Sequence, residues 1–132
     1  MYVKNKKDNI LVSSIIKGLE DSKALNITLI DIKELGSSIT DYFVVCHAKS
    51  NTRVSSISEK LIEHVRKHTK EKPFHKEGHR NAEWILLDYM NVIVHVFKEE
   101  KREFYDIEGL WADGIITNIT HEEMPLLDIQ NN

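Results

Sequence analysis

The most regular hydrophobic pattern in the chain runs from Trp84 to Phe97, where β-branched and aromatic residues predominate. This composition is typical of β-strands. The turn-prone pair Met90-Asn91 interrupts it, so the stretch predicts a hairpin of two strands joined by a two-residue turn. Asn91 tolerates the positive φ that primed turns require, whereas Met90 suits it less well, so the sequence leaves the turn type open.

The predicted register gives the hairpin two chemically different faces, because successive residues of a strand point to opposite sides. One face is mainly aliphatic and consists of the pairs Tyr89/Val92, Leu87/Val94 and Ile85/Val96. The other is mixed and consists of the pairs Asp88/Ile93, Leu86/His95 and Trp84/Phe97. The aliphatic face suits packing under helices, and the mixed face suits contact with a partner. The alternative is that helices cover both faces and Trp84 is a core residue.

The patterns on either side of the hairpin predict helices and buried strands. They are a helix over Ile10–Leu19 capped by Asp8 or Asn9, strands over Asn26–Leu35 and Tyr42–His47, a helix over Thr52–Thr69, an extended piece over Pro73–His75, and a last helix burying Phe104, Ile107, Leu110 and Trp111. The order α-β-β-α-β-β-β-α indicates an α/β (α+β) fold, in which a mixed β-sheet carries its helices mainly on one face.

The length of 132 residues corresponds to one domain with a substantial core. No run approaches the ~20 apolar residues of a membrane span, so we expect a cytoplasmic protein without membrane contact. The net charge is −3, but all four charged residues from Asp113 onward are acidic, which leaves the preceding part close to neutral. Direct, phosphate-driven nucleic-acid binding is therefore not predicted. We expect residues 1–112 to form the domain and residues 113–132 an acidic, flexible tail.

Catalytic patterns are missing from the sequence. Two-metal nucleotidyl transfer needs clustered carboxylates, but Asp31, Asp41 and Asp88 stand alone without an Asp-x-Asp pair. The segment Ala48–Thr52 lies between a strand and a helix, where backbone amides can hold an anion. It lacks glycine, and helix capping by Ser50 or Asn51 explains the same residues. We therefore predict no catalytic residues, although a nucleotide-binding enzyme stays an alternative.

Candidate metal ligands and nucleophiles are equally sparse. His64 and His68 are one helical turn apart, but neither has a nearby cysteine, and no HExxH or CxxC pattern occurs. The single Cys46 lies within an apolar run, which favours a small buried thiol. The sequence thus predicts neither a metal site nor a cofactor.

Several blocks of the sequence, in order and naturally spaced over about residues 8–112, resemble the ribosomal silencing factor family, also called RsfS or Iojap. They are Ser38–Val45, Ser50 with Arg53-Val54, Glu77-Gly78, Trp84–Asp88, Val92–Phe97 and Arg102–Trp111. The sequence departs from the family at Ala48, where glycine is common, and at Met90-Asn91, where Gly-Asp is common.

The resemblance implies a mixed α/β fold that is nucleotidyltransferase-like but without catalytic residues. It also implies binding to the large ribosomal subunit through ribosomal protein L-fourteen. Such binding blocks joining of the small subunit and represses translation under nutrient limitation. Homodimers occur in the family, and relatives in organelles serve large-subunit assembly, so an assembly factor is the alternative function. No sequence-specific contact with nucleic acid is expected.

We expect the partner surface on the mixed face of the hairpin. It consists of Trp84, Leu86, Asp88 and His95, extended by Glu77 and Gly78 before the hairpin and by Tyr89 at its tip. Trp84 is the expected apolar anchor, because aromatic side chains dominate interfaces of this kind. Asp88 and Glu77 would face basic residues of a ribosomal protein, setting orientation and association rate more than affinity.

Overall fold

The computed structural model of the protein describes residues 6–36 and 39–119, with side chains from residue 9 onward. Its helices and strands are α1 (Lys6–Asp21), β1 (Leu25–Asp31), β2 (Tyr42–Ala48), α2 (Asn51–Thr69), β3 (His75–Glu77), β4 (Trp84–Asp88), β5 (Val92–Lys98), α3 (Glu99–Tyr105), α4 (Ile107–Leu110) and β6 (Ile115–Asn118). The predicted order of eight elements is confirmed, and α4 and β6 follow it. The chain forms a 3-10 turn at Lys33–Leu35, so β1 ends at Asp31 and not at Leu35 as predicted.

The six strands form one mixed sheet in the order β3-β4-β5-β2-β1-β6. Strands β2 and β5 are parallel, and every other neighbouring pair is antiparallel. The hairpin register agrees with the prediction at Trp84/Phe97, Ile85/Val96, Leu86/His95, Leu87/Val94 and Asp88/Ile93. The predicted mixed sheet is thereby confirmed.

The two long helices pack together against one face of this sheet. Their predicted apolar stripes are buried, namely Leu11, Ile15, Ile16 and Leu19 of α1 and Val54, Ile57, Leu61 and Val65 of α2. A Cβ at Gly18 of α1 would lie 2.9 Å from the Leu61 side chain, so glycine permits the close approach of the helices. The predicted cap of α1 is wrong, because Asp8 and Asn9 already lie inside the helix.

The opposite face carries a smaller apolar cluster beneath the two short helices. Its buried members are Ile30, Ile32, Phe43, Val45, Ile93, Phe97 and Ile107. The helix is interrupted between α3 and α4 at Asp106, which has a φ of 49° and accepts a hydrogen bond from the Gly109 amide. This break turns Phe104 and Leu110 outward, to 76% and 73% exposure, so the predicted burial is wrong for both. The predicted burial is confirmed for Ile107, and Trp111 is partly buried.

The predicted domain boundary at residue 112 is wrong for the residues that follow directly. Strand β6 (Ile115–Asn118) pairs antiparallel with β1, and Ile119 is buried with its amide bonded to the Ile27 carbonyl at 2.8 Å. These residues complete the sheet. Residues 120–132, the rest of the predicted tail, lie outside the described residues. Among the helices that the structure describes, none has the length and hydropathy to cross a membrane.

Candidate partner-binding face

The hairpin tip is tighter than a primed two-residue turn. The Asn91 amide donates to the Tyr89 carbonyl at 3.0 Å around Met90, which has a φ of 79°. This is the hydrogen-bond pattern of a γ-turn. An oxygen of Asp88 accepts from the Met90 amide at 2.7 Å and supports the turn. The turn type that the sequence leaves open is thereby settled: the positive φ falls on Met90, the less suitable residue of the pair, and not on Asn91.

Trp84 lies half-buried among aromatic rings on the mixed face. Its ring is 4.9 Å from that of Phe97 and 4.6 Å from that of Tyr105, between centroids. The indole N–H donates to Nδ1 of His95 at 3.0 Å. Trp84 thus packs against α3 while part of its surface stays accessible. It combines features of a core residue covered by a helix and of an exposed anchor for a partner, the two interpretations of the sequence.

His95 is a buried support for Trp84, with 4% of its surface exposed. Because an indole N–H can only donate, Nδ1 of His95 is the acceptor, and the neutral ring carries its proton on Nε2. Burial lowers the pKa of His95 to about 4, so the ring is neutral at pH 7. The sequence expectation of a partner-contacting imidazole does not match this placement, because the ring lies beneath the surface.

Tyr89 also lies away from the mixed face. Its side chain is 2% exposed and belongs to the core under α1 and α2. Burial raises the pKa of the Tyr89 hydroxyl. Although Tyr89 stands at the hairpin tip, strand alternation directs it to the aliphatic side, so its expected place on the partner surface is corrected.

Leu86 and Asp88 remain partly exposed on the mixed face, beside Trp84. Strand β3 extends this face, because Glu77 pairs with Leu86 and His75 pairs with Asp88. His75 and Glu77 are exposed and joined by a 2.5 Å hydrogen bond. We call these five residues the open face: Trp84, Leu86, Asp88, His75 and Glu77. The sequence pattern gives no sign of His75, and only the β3–β4 register identifies it.

Gly78 shapes the loop that leads from β3 to the open face. Its φ is 90°, and a Cβ there would lie 1.9 Å from the Trp84 carbonyl oxygen. Only glycine avoids this clash. Gly78 therefore positions the backbone next to Trp84, which is a structural role rather than a side-chain contact.

Arg102 holds α3 against the sheet and so places Tyr105 beside Trp84. The buried guanidinium donates to the Asn26 carbonyl at 2.6 Å, to the Thr28 hydroxyl at 3.0 Å and to the Glu108 carboxylate at 2.7 Å. Such a buried, multiply bonded arginine fixes geometry more than it attracts ligands. In the sequence, only the family resemblance distinguishes Arg102.

The residues that could have formed an anion-binding, nucleophilic or metal site have ordinary structural explanations. Ser50 caps α2, its hydroxyl accepting from the Arg53 amide at 3.2 Å, so the capping interpretation is confirmed. Cys46 is fully buried, and burial raises the pKa of its thiol to about 12, as expected for an inert core cysteine. Within residues 6–36 and 39–119, no group of three or more His, Cys, Asp or Glu could hold a metal ion.

The fold and site together define an α+β domain with a helix-covered sheet face and a second face that is partly open. A family model described as "Ribosomal silencing factor during starvation" matches residues 4–131. Similar proteins include the ribosomal silencing factor of Haemophilus influenzae, 35% identical with 77% of this chain and 98% of the relative covered. That of Halalkalibacterium halodurans is 32% identical with 79% and 87% covered.

A solved structure supports the same assignment. A crystal structure of a Chromobacterium violaceum protein superposes with a TM-score of 0.72 and 31% identity, covering 77% of this chain and 83% of that one. The protein belongs to the ribosomal silencing factor family. The family match reaches residue 131, so the expected family boundary near residue 112 is too early.

Proposed function

We propose that this protein, without being an enzyme, binds the large ribosomal subunit through ribosomal protein L-fourteen and blocks joining of the small subunit. Translation would then fall when nutrients are limited. Family membership supports a ribosome-related function. The observation that carries the proposal is the partial exposure of Leu86 and Asp88 next to the half-buried Trp84, on the face opposite the long helices.

The aromatic part of this surface suits a protein partner. A shallow cavity of about 230 Å³ opens between Trp84, Tyr105 and the loop that begins at Gly78. Tyr105 is 46% exposed, so the rings can contact an inserted side chain. Aromatic residues in such recesses contribute much of the affinity of protein interfaces. Trp84 is already held by His95 and Phe97, so little side-chain entropy is lost on binding.

The carboxylates of the open face suit a basic partner. Asp88 is partly exposed, and the Glu77 side chain is 64% exposed. Ribosomal proteins bound to RNA are generally rich in Lys and Arg, and complementary charges orient such partners and speed association. The two carboxylates therefore favour one docking orientation on L-fourteen.

The test is co-sedimentation of the purified protein with large subunits, together with capture of isolated L-fourteen. The double variant Glu77→Gln/Asp88→Asn keeps side-chain shape and removes two negative charges. We expect it to weaken both interactions about tenfold, equivalent to about 1.4 kcal/mol. The matched variant Glu34→Gln/Glu59→Gln alters two exposed carboxylates elsewhere and should bind normally.

Two results would contradict the proposal in different ways. Equal binding of the two double variants would remove the open-face carboxylates from the interface. Binding to precursor particles but not to mature large subunits would favour the alternative role in large-subunit assembly.

A further inference from the structure

A strongly basic segment lies next to the open face. Residues 66–80 contain six Lys or Arg and two Glu, a net charge of +4 in a chain whose total is −3. They run from the last turn of α2 through β3 into the loop before β4. We call the six cationic residues the basic strip: Arg66, Lys67, Lys70, Lys72, Lys76 and Arg80. All six are exposed.

Fold stability explains only part of this charge. Arg66 and Lys67 lie in the last turn of α2, where cations favour the helix dipole, and Arg66 also pairs with Glu63 at 2.7 Å. Lys76 is on an edge strand, where lysine discourages strand pairing with other chains. Lys72 and Arg80 lie in neither element, so these two structural roles do not apply to them.

The strip's other charges are available to a ligand. Among the residues described, no salt bridge involves Lys67, Lys70, Lys72, Lys76 or Arg80. Salt screens surface charges beyond about 8 Å at physiological ionic strength, so this local cluster acts on a nearby partner despite the negative chain total. The total charge of the chain therefore does not describe residues 66–80, whose net charge is +4.

An exposed aromatic side chain stands within the strip. Phe74 is 69% exposed between Lys72 and Lys76. Its amide donates to the Asp88 carbonyl at 2.7 Å, which ties this part of the strip to the end of β4. Exposed aromatic rings among cations are typical of surfaces that contact nucleic acid, where bases stack on the ring and cations hold phosphates.

We propose that the basic strip contacts the phosphodiester backbone of ribosomal RNA at the surface of the large subunit, beside the protein contact of the open face. This inference rests on the proposed function, which brings the strip to an RNA-rich particle. RNA is favoured over an acidic protein because five of the six cations make no salt bridge among the described residues and Phe74 is exposed beside them. The contact is independent of sequence, since lysine and arginine bind phosphates without reading bases.

The test compares the salt dependence of large-subunit binding for three chains. The strip variant is Lys70→Gln/Lys72→Gln/Lys76→Gln, three exposed residues that do not line the cavity beside Trp84. The control, Lys17→Gln/Lys23→Gln/Lys49→Gln, makes the same charge change away from the strip. If the three strip residues contact phosphates, the negative slope of log affinity against log salt should become shallower by ~2–3, and affinity at physiological salt should fall about tenfold or more. The control should retain both slope and affinity.

Equal slopes and affinities for all three chains would overturn the RNA contact and leave the proposed function intact. If the wild-type chain binds no large subunit, the proposed function fails, and naked large-subunit ribosomal RNA then tests the strip alone. Strip-dependent binding to that RNA would support the inference. Its absence, or strip-dependent binding to polyglutamate but not to RNA, would overturn it.

Discussion

The indole N–H of Trp84 donates a 3.0 Å hydrogen bond to Nδ1 of His95 across the β4–β5 pair. The bond determines which ring nitrogen of His95 carries the proton, and it holds Trp84 in place on the open face. A buried histidine thereby orients an accessible aromatic residue.

Replacing Trp84 with Phe should destabilise the fold through one lost hydrogen bond. Phe keeps an aromatic ring against Phe97 and Tyr105 but leaves Nδ1 of His95 buried without a donor. We expect a loss of about 1–3 kcal/mol in the free energy of unfolding, measured by urea denaturation. Trp111→Phe is the control, since that indole makes no hydrogen bond among the described residues and packs against Phe43. Equal losses in the two variants would contradict this role for the hydrogen bond.

The stability of the fold should depend on pH through His95. Its pKa is lowered from 6.5 to about 4 by burial, so the unfolded chain binds the proton more readily than the folded one. Stability from this group is therefore complete above pH 6.5 and declines as the pH falls toward 4, by about 2 kcal/mol at pH 5. Burial lowers the pKa of His47 as well, which adds to the decline in the same direction.

The variant His95→Gln isolates this contribution. Unfolding free energies at pH 7 and pH 5 should differ less in the variant than in the wild-type chain, because His47 remains in both. The same difference in both chains would show that His95 does not titrate as its burial implies.

Adding one methyl group at Gly78 should disrupt the loop next to Trp84. The new Cβ would meet the Trp84 carbonyl oxygen at 1.9 Å, and φ is 90°. We expect Gly78→Ala to reduce the free energy of unfolding by about 3 kcal/mol or more. Gly36→Ala is the control: φ is 76°, but no described atom lies within 4 Å of the added Cβ, so about 1 kcal/mol is expected. Thermal melting of both variants separates the clash from the backbone strain.

Truncation should locate the true end of the domain. A chain ending at Gly114 loses β6 and the buried Ile119, whose side chain alone contributes about 1.5–3 kcal/mol. A chain ending at Ile119 keeps both, and we expect it to melt near the full-length temperature and to bind large subunits. If the chain ending at Gly114 is equally stable, β6 contributes nothing to the fold.

The hairpin was the most predictable part of the molecule, because a two-residue turn determines which residues oppose each other. The register therefore placed Trp84 and Asp88 on one face correctly. The burial of His95 was not predictable from this pattern, because one of the rings against it is Phe43 of β2, far from the hairpin in sequence. The position of α3 on the sheet was equally unpredictable, because the buried contacts of Arg102 join residues far apart in sequence.

Other misses have equally specific causes. Strand β6 is only four residues long and precedes an acidic segment, so its pattern is weak. The interruption of the helix at Asp106 does not show in the spacing of the apolar residues, so one continuous helix was predicted where α3 and α4 form. The net charge of the whole domain is close to neutral, so it gives no sign of the basic strip between Arg66 and Arg80.

The most direct test of the proposed function is a light-scattering measurement of ribosomal subunit joining. Preincubating large subunits with the wild-type chain should suppress the scattering increase on addition of small subunits, with saturation near one protein per large subunit. Glu77→Gln/Asp88→Asn should need about tenfold more protein for the same effect, and Glu34→Gln/Glu59→Gln should match the wild type. Undiminished joining at a wild-type concentration that saturates the large subunits would contradict the proposal that this protein blocks subunit association.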